Sequence, residues 1–194
     1  MEGVYRGEPP AWVHEMVADM QAALRGRRVL EVACGTGHWT CFAAEVASHV
    51  TALDAAPRML DIARAKNCDV TFLEADAYRL DDVPGIFDAG LAMQWFSHIP
   101  RDRIGDFLTA WHARIGPGAP VFLADNQVMP YTSVYRKPGT GDTFEERELD
   151  GDLYEVLKNY YTADELRAIL APYAVDVAVH EGSRWWWLSY RVRG

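Results

Sequence analysis

A short apolar segment that runs into a glycine-rich turn constrains the fold of this chain more than any other feature. Residues 28–32 form an apolar run typical of a buried strand, and the turn at 33–37 follows it directly. Gly35 and Gly37 allow the backbone to turn tightly and a ligand to approach it closely. Residues 38–47 have the pattern of a helix, whose first N–H groups would face that ligand. The segment therefore predicts a strand, a turn and a helix that together bind a ligand.

Strands and helices alternate along most of the chain. Further strands are predicted at 50–53, 70–73, 87–93 and 121–124, and a C-terminal antiparallel hairpin at 175–179 and 185–192. Helical patterns cover 12–24 and 104–115, begin at Pro57, and recur after Thr162. Alternation of this kind favours parallel strands joined by right-handed crossovers. We therefore predict one α/β domain over 1–194, Rossmann-like and doubly wound, with a mostly parallel seven-stranded sheet that ends in the hairpin.

Two segments are candidate lids over a site. Residues 1–26 contain the N-terminal helix, which could close over the edge of the sheet. Residues 127–161 are rich in Tyr, Pro, Gly and charged side chains, and we predict an irregular segment there, since long irregular stretches inside a domain are usually functional. Its tyrosines suit a substrate lid or a peripheral apolar cluster: Tyr131, Tyr135, Tyr154, Tyr160 and Tyr161.

Composition excludes several classes of protein. The formal net charge is −9 and no basic stripe is present, so we expect no nucleic-acid partner. No apolar run reaches about eighteen residues, so we expect no membrane span, and residues 1–10 lack the apolar stretch of a secretory signal. Cys34, Cys41 and Cys68 are odd in number and form no Cys-x-x-Cys pair. We therefore expect neither a disulfide nor a zinc site, and a reducing cytoplasm fits best.

The glycine turn departs from the dinucleotide-binding fingerprint, because Thr40 stands where that pattern has its third glycine. Glu31 instead lies four residues before Gly35, which resembles motif I of the class I S-adenosylmethionine-dependent methyltransferases. The resemblance continues in chain order from about residue 29 to 125. It includes Asp54 at the end of the second strand, 74–77 after the third, 94–98 after the fourth, and 116–118 before the fifth.

This resemblance implies S-adenosylmethionine as the cofactor, S-adenosylhomocysteine as the product, and a small-molecule acceptor whose methylated atom is O, N or S. Asp54 would bind the ribose hydroxyls, a role that would suit NAD equally well, or would cap the helix at Pro57. Asp76 and Ala77 would bind the adenine, and Glu31 would lie near the cofactor's amino group or fasten the glycine turn. The predicted cofactor-binding residues are Glu31, Ala33, Cys34, Gly35, Gly37, Asp54, Ala55, Met59, Asp76, Ala77, Met93 and Gln94.

His98 is the candidate catalytic base, because its ordinary pKa suits proton removal near neutral pH and it follows the fourth strand. A structural role, in which it fastens the loop at Pro100, is the alternative. No metal site is predicted: Asp125-Asn126 matches one motif of the metal-dependent members, but Met93-Gln94 does not supply the acid of the other.

Two other functions compete with methyl transfer. One is a nicotinamide-dependent oxidoreductase on a Rossmann fold, which accounts for Asp54 but not for Asp76. The other is a non-catalytic protein that binds S-adenosylmethionine. Binding of NADH would favour the first, and the absence of an acceptor pocket the second.

Overall fold

The structure is a computed structural model that describes residues 9–130, 132–149 and 151–194. Two features singled out above lie outside these ranges. They are the first eight residues of the candidate N-terminal lid and Tyr131 of the candidate substrate lid.

The chain contains five helices and ten strands within the described ranges. The helices are α1 (Ala11–Leu24), α2 (His38–Ala44), α3 (Pro57–Arg64), α4 (Ile104–Ile115) and α5 (Ala163–Leu170). The strands are β1 (Arg28–Val32), β2 (His49–Asp54), β3 (Thr71–Glu74), β4 (Ala89–Met93), β5 (Pro120–Asn126), β6 (Val134–Arg136), β7 (Thr143–Leu149), β8 (Asp152–Leu157), β9 (Ala174–Glu181) and β10 (Trp185–Val192).

Local sequence signals set several helix ends. Pro57 occupies the first turn of α3, where its missing N–H is not needed. Thr162 and Glu165 form a capping box at the start of α5, with each side chain accepting a hydrogen bond from the other residue's backbone N–H. Gly116 ends α4 with a φ of 84°, a conformation that favours glycine.

Seven strands form one sheet in the order β3-β2-β1-β4-β5-β10-β9. The first five are parallel to one another, and β10 is antiparallel to both β5 and β9. The predicted doubly wound sheet with a C-terminal antiparallel hairpin is therefore confirmed. Because β1 and β4 are neighbours while β1 continues into β2, the strand order reverses beside β1. Ligands bind at such switch points, beyond the carboxyl ends of the strands.

Alternate residues of the strands pack against opposite helical layers. Val29 belongs to a core shared with α1 and α2, whereas the next residue, Leu30, belongs to a core shared with α4 and α5. The same alternation divides the tryptophan run of β10: Trp185 and Trp187 face the α1 layer, and Trp186 faces the α4 layer. All three rings are buried, so the run serves mainly to pack the sheet.

The described part of the candidate N-terminal lid is a core helix. Met16, Met20 and Leu24 of α1 are fully buried against the sheet. Asp19 also accepts a hydrogen bond of 2.9 Å from the indole N–H of Trp187. A lid function for residues 1–26 therefore remains a prediction.

Residues 127–161 are more ordered than predicted. They contain a second sheet in the order β6-β7-β8, with antiparallel pairing throughout. The prediction of an irregular segment was wrong because β7 and β8 are rich in charged residues and lack a continuous apolar face. Most of β8 is exposed, so its sequence carries little of the alternation by which a half-buried strand is identified. The lid function itself remains a prediction.

The cysteine prediction was also wrong. Cys41 of α2 and Cys68, in the segment before β3, form a disulfide with a Cα–Cα distance of 5.5 Å, and Cys34 is free. An odd cysteine count does not prevent pairing, and the fold brings together two residues that are 27 positions apart.

Within the described ranges, no helix is long and apolar enough to cross a bilayer. Over the same residues, no group of three or more His, Cys, Asp or Glu side chains is placed so that it could hold a metal ion.

Candidate active site

The glycine turn after β1 is fixed by the carboxylate at the end of β2. Oδ2 of Asp54 accepts a hydrogen bond of 2.8 Å from the N–H of Gly35, and Oδ1 accepts one of 2.8 Å from the N–H of Ala56. Asp54 therefore both fastens the turn and orients the start of α3. Only the bond at the start of α3 corresponds to the alternative predicted for Asp54, a helix cap, since fastening of the turn was the alternative for Glu31. Both oxygens of the carboxylate can still accept further bonds.

The two glycines of the turn are needed for different reasons. Both have positive φ values, 57° at Gly35 and 70° at Gly37. A Cβ on Gly37 would lie 2.9 Å from the Cβ of Ala63, so α3 packs directly against this position. A Cβ on Gly35 would meet nothing within 4 Å. Gly37 is thus required by packing and backbone conformation, and Gly35 by backbone conformation alone.

A cavity of about 240 Å³ opens beside this turn at the carboxyl ends of β1 to β4. Its lining includes six of the predicted cofactor-binding residues: Ala33, Asp54, Ala55, Asp76, Ala77 and Gln94. It also includes three residues that the sequence analysis did not single out: Leu53, Ala75 and Trp95. The lining therefore combines apolar side chains with the polar side chains of Asp54, Asp76 and Gln94.

Two of the lining residues have strained backbones. Ala33 and Gln94 adopt φ values of 52° and 57°, although neither is a glycine. Such conformations cost on the order of 1–2 kcal/mol per residue and cluster at functional sites. Ala33 follows β1 and Gln94 follows β4, so the strain lies on both sides of the switch point.

The other predicted cofactor-binding residues do not line the cavity. Gly35 and Gly37 form the turn beside it, and Met93 is buried in the sheet beneath it. Met59 is 38% exposed on α3. Burial raises the pKa of the Cys34 thiol far above its ordinary range, and the carboxyl groups of Glu31 and Asp54 add to the rise. Cys34 therefore stays a protonated, unreactive thiol.

Glu31 is an unpaired carboxyl group in the interior. Its side chain is 1% exposed, and its Oε2 has no hydrogen-bond partner among the described residues. Burial raises its pKa to about 8, the Thr40 hydroxyl acts against the rise, and Asp54 adds to it. The hydroxyl of Thr40 likewise lacks a partner that meets hydrogen-bond geometry. A buried polar group without a hydrogen-bond partner lowers the stability of a fold, so a ligand that offers a hydrogen-bond donor or a cation to this carboxyl group would be bound favourably.

Trp95 forms an aromatic wall of the cavity, and it belongs to the segment 94–98 of the resemblance although no cofactor-binding role was predicted for it. Its ring makes edge-on contacts with Tyr78 at 5.8 Å and with Phe107 at 6.4 Å between centroids. The indole N–H is buried and has no partner among the described residues. Aromatic side chains are common in pockets, and the position of Trp95 directly after the fourth strand was the signal that could have indicated its role.

Comparison with known proteins identifies this arrangement. Residues 29–118 match the family described as a methyltransferase domain. This segment of the chain is therefore similar to a methyltransferase domain. The matched segment runs from the start of β1 to the turn before β5, so it contains the glycine turn and the whole cavity lining.

Individual relatives agree with this assignment. The ubiquinone biosynthesis O-methyltransferase of Xanthomonas campestris pv. campestris is 33% identical over 111 residues, which cover 54% of this chain and 45% of that protein. The malonyl-[acyl-carrier protein] O-methyltransferase of Pectobacterium atrosepticum is 34% identical over 90 residues, which cover 45% and 36%. The chain thus covers less than half the length of these curated relatives.

Solved structures extend the likeness to the rest of the fold. A complex of DhpI with SAH matches with a TM-score of 0.74 and 24% identity, over 94% of this chain and 85% of that one. At this identity the match establishes the fold alone. It shows that the strands and helices outside the methyltransferase-domain match also follow the Rossmann-like methyltransferase architecture.

His98 lies in a short 3₁₀ turn after β4. Its Nδ1 is 2.8 Å from the carbonyl oxygen of Leu157. Because a carbonyl only accepts, Nδ1 carries the proton and Nε2 of the neutral ring is an acceptor. Burial lowers the pKa of His98, and Lys158 lowers it further, while Asp125 raises it. The ring is therefore neutral near pH 7.

Asp125 and Lys158 form a buried ion pair next to this histidine. Nζ of Lys158 is 2.8 Å from Oδ1 of Asp125, and the two side chains are 2% and 0% exposed. Burial would raise the pKa of Asp125, but Lys158 and the hydrogen bonds from Ser97 together outweigh that effect and hold it below the ordinary value. In the sequence Asp125 stood out only as a candidate metal ligand, and Lys158 had no predicted role because β8 was not predicted.

Proposed function

We propose that this chain transfers a methyl group from S-adenosylmethionine to a small-molecule acceptor. The cavity beside the glycine turn carries the proposal. Each oxygen of Asp54 accepts one backbone hydrogen bond and retains accepting capacity, as binding of two ribose hydroxyls requires. Oδ1 of Asp76 accepts a bond of 2.9 Å from the N–H of Tyr78, and its other oxygen is available to an adenine amino group.

Glu31 fits the amino-acid end of the same cofactor. A protonated amino group would supply both the charge and the donors that the buried carboxyl lacks. A nicotinamide dinucleotide offers no cation of this kind. The unpaired carboxyl therefore favours S-adenosylmethionine over NAD, and S-adenosylhomocysteine, which retains the amino group, would bind at the same residues.

The protein's part in the chemistry is to bind, orient and accept a proton. S-adenosylmethionine supplies an electrophilic methyl group together with its own leaving group. The methyltransferase domain aligns the two reactants, an effect that can contribute about 7–11 kcal/mol in favourable cases. When the acceptor is a hydroxyl, Nε2 of His98 would remove its proton, because the ring is neutral and its other nitrogen is fixed by Leu157.

Calorimetric titration tests the cofactor assignment. We expect saturable binding of S-adenosylmethionine and of S-adenosylhomocysteine, and no binding of NADH under the same conditions. Binding of NADH without a response to either sulfur compound would indicate the nicotinamide-dependent oxidoreductase instead. Binding of both sulfur compounds without turnover in a broad acceptor screen would indicate a non-catalytic binding protein.

The role of His98 is tested after that screen has identified a hydroxyl acceptor. His98→Ala should leave the affinity for S-adenosylhomocysteine unchanged and should slow turnover by a factor of about 10² to 10⁴, the usual contribution of a general base. A variant with full activity would remove His98 from the mechanism and leave it a structural role.

Partners and location complete the proposal. The net charge of −9 disfavours nucleic acid as a substrate and leaves a small-molecule acceptor. A cytoplasmic location is also part of the proposal, although the Cys41–Cys68 disulfide removes the cysteine argument for it. Cell fractionation with an antibody against the protein would test the location.

A further inference from the structure

Three consecutive residues at the end of the small sheet hold the loop that carries His98. The carbonyl of Leu157 accepts the bond from His98. The N–H of Asn159 donates to the carbonyl of Ser97 over 2.7 Å, and Nδ2 of Asn159 donates to the carbonyl of Ile99 over 3.0 Å. Residues 157–159 therefore fix residues 97–99 at three points.

The middle residue of this segment, Lys158, anchors it to the main sheet. Its ammonium pairs with Oδ1 of Asp125, which also accepts a bond of 2.8 Å from the N–H of Asn126. Oδ2 of Asp125 accepts a bond of 2.9 Å from the N–H of Ser97. A single buried carboxylate thus joins β5, the end of β8 and the loop after β4.

A second branch leads from Lys158 to the cavity. Oδ1 of Asn126 lies 3.3 Å from Nζ of Lys158 and accepts a bond of 3.2 Å from Nε2 of Gln94. Gln94 lines the cavity with a strained backbone. The ammonium of Lys158 is therefore connected through Asn126 to Gln94 of the cavity, and through Asp125 to the loop that carries His98.

Stability alone does not explain this buried pair. Replacing a buried ion pair with apolar residues of similar size is often neutral or stabilising, because removing both charges from water is costly. Such pairs are known to fix a particular arrangement of elements in some proteins. Here the arrangement concerns the small sheet, and the residues it fixes are those around the candidate base.

We propose that Lys158 is a positioning residue for methyl transfer: paired with Asp125, it holds residues 157–159 so that His98 keeps its proton on Nδ1 and presents Nε2 as the acceptor. This inference rests on the proposed function, in which His98 is the base. In this role the small sheet does not need to move as a lid, because the segment at the end of its last strand holds the loop that carries His98.

The charges around His98 make the proposal measurable. Lys158 at the end of β8 and Arg147 of β7 face the ring as cations, and Asp125 of β5 faces it as an anion. The Leu157 carbonyl favours the protonated ring through its hydrogen bond. Removing only the Lys158 charge leaves Asp125 unopposed, so the protonated ring becomes easier to form.

Long-range proton–nitrogen NMR of the imidazole rings, recorded between pH 5 and 8, tests the proposal without an acceptor. The signals of His98 are assigned by their loss in His98→Gln. In the native protein we expect a single tautomer with the proton on Nδ1. In Lys158→Met we expect the titration midpoint of His98 to rise by about one pH unit or more and the second tautomer to appear. Lys158→Arg keeps the charge and should retain the native spectrum.

A matched control and a second variant complete the design. Lys137 pairs with Glu155 at the surface of the same small sheet, so Lys137→Met should not change the His98 signals. If Lys158→Met does not fold, it is replaced by the double variant Asp125→Asn/Lys158→Met, in which neither of the two side chains is charged. The double variant should also show both tautomers, because residues 157–159 lose the ion pair that anchors them to β5.

Two outcomes would overturn the proposal. One is a folded Lys158→Met protein with the native midpoint and the native tautomer. The other is the same native spectrum in the double variant, which would mean that Leu157 and Asn159 hold the loop unaided. Titration of every sample with S-adenosylhomocysteine separates these outcomes from failure of the proposed function, which would instead appear as no binding in the native protein.

Discussion

The unpaired carboxyl of Glu31 makes the stability of the fold depend on pH in a way that one substitution should remove. Glu31→Gln keeps the shape of the side chain but stays neutral at every pH. The native side chain is 1% exposed and its pKa is raised from an ordinary value of 4.5 to about 8, chiefly by burial. The slope of stability against pH should therefore differ most between the two proteins where the native carboxyl is ionised in the unfolded chain but protonated in the folded one.

The magnitude follows from the raised pKa. Between pH 4.5 and 8 the unfolded chain releases the Glu31 proton and the folded chain retains it, so rising pH favours unfolding. The contribution of this group to stability is therefore greatest below pH 4.5 and is lost as the pH rises toward 8. At about 1.4 kcal/mol per pH unit, the loss amounts to roughly 5 kcal/mol over the whole window.

Urea denaturation monitored by tryptophan fluorescence, at several values between pH 5 and 8, measures this loss. The free energy of unfolding of Glu31→Gln should exceed that of the native protein increasingly as the pH rises. Glu74→Gln is the control, because Glu74 ends the neighbouring strand β3 at the same edge of the sheet but is exposed. The reasoning is refuted if the native protein and Glu31→Gln show the same dependence on pH.

Three further predictions concern the turn, the ribose site and the ion pair. Asp54→Ala should weaken binding of S-adenosylhomocysteine at least tenfold, or about 1.4 kcal/mol, whereas Asp61→Ala on the exposed side of α3 should not. If calorimetry gives Asp54→Ala the same affinity as the native protein, the ribose assignment is removed. Gly37→Ala should lower the free energy of unfolding by about 1–3 kcal/mol, because the added methyl meets α3 at a positive φ, and an unchanged urea midpoint would contradict this. Lys158→Met should lower the free energy of unfolding by about 3–5 kcal/mol in the same assay, since it leaves Asp125 buried and unpaired. The double variant with Asp125→Asn should recover most of this loss, and no recovery would show that the pair does not act as a unit.

Features that depend on local patterns could be predicted from the sequence. The central strands β1, β4 and β5 of the main sheet are buried on both faces, so they appear as short apolar runs between turn residues. The glycine turn and the carboxylates at Asp54 and Asp76 follow directly after such runs. The predicted residues that line the cavity are accordingly those at the ends of β1 to β4.

Features that depend on distant contacts could not be predicted in this way. Lys158 and Asp125 are separated by 33 positions, and neither residue shows locally that the other neutralises it. Cys41 and Cys68 likewise meet only because of the fold. The left-handed conformation of Ala33 and Gln94 has no signal at all, because alanine and glutamine disfavour it and only the surrounding structure imposes it.

The small sheet shows why a charged strand is difficult to recognise. Glu145 and Arg147 belong to β7 and Glu155 to the neighbouring strand β8, and Glu145 and Arg147 form an ion pair of 2.9 Å within β7. Strands of this kind are held by backbone pairing and by charged contacts instead of an apolar face. Their sequence therefore resembles a loop, and the residues at 157–159 that support His98 were hidden within it.

A crystal structure of the protein with S-adenosylhomocysteine would test the central claim most directly. We expect the adenosyl group in the cavity lined by Asp54 and Asp76, with both ribose hydroxyls within hydrogen-bond distance of the Asp54 carboxylate and the amino group near Glu31. A ligand bound elsewhere, or an Asp54 that contacts only Gly35 and Ala56 in a ligand-saturated crystal, would contradict the assignment of this cavity as the cofactor site.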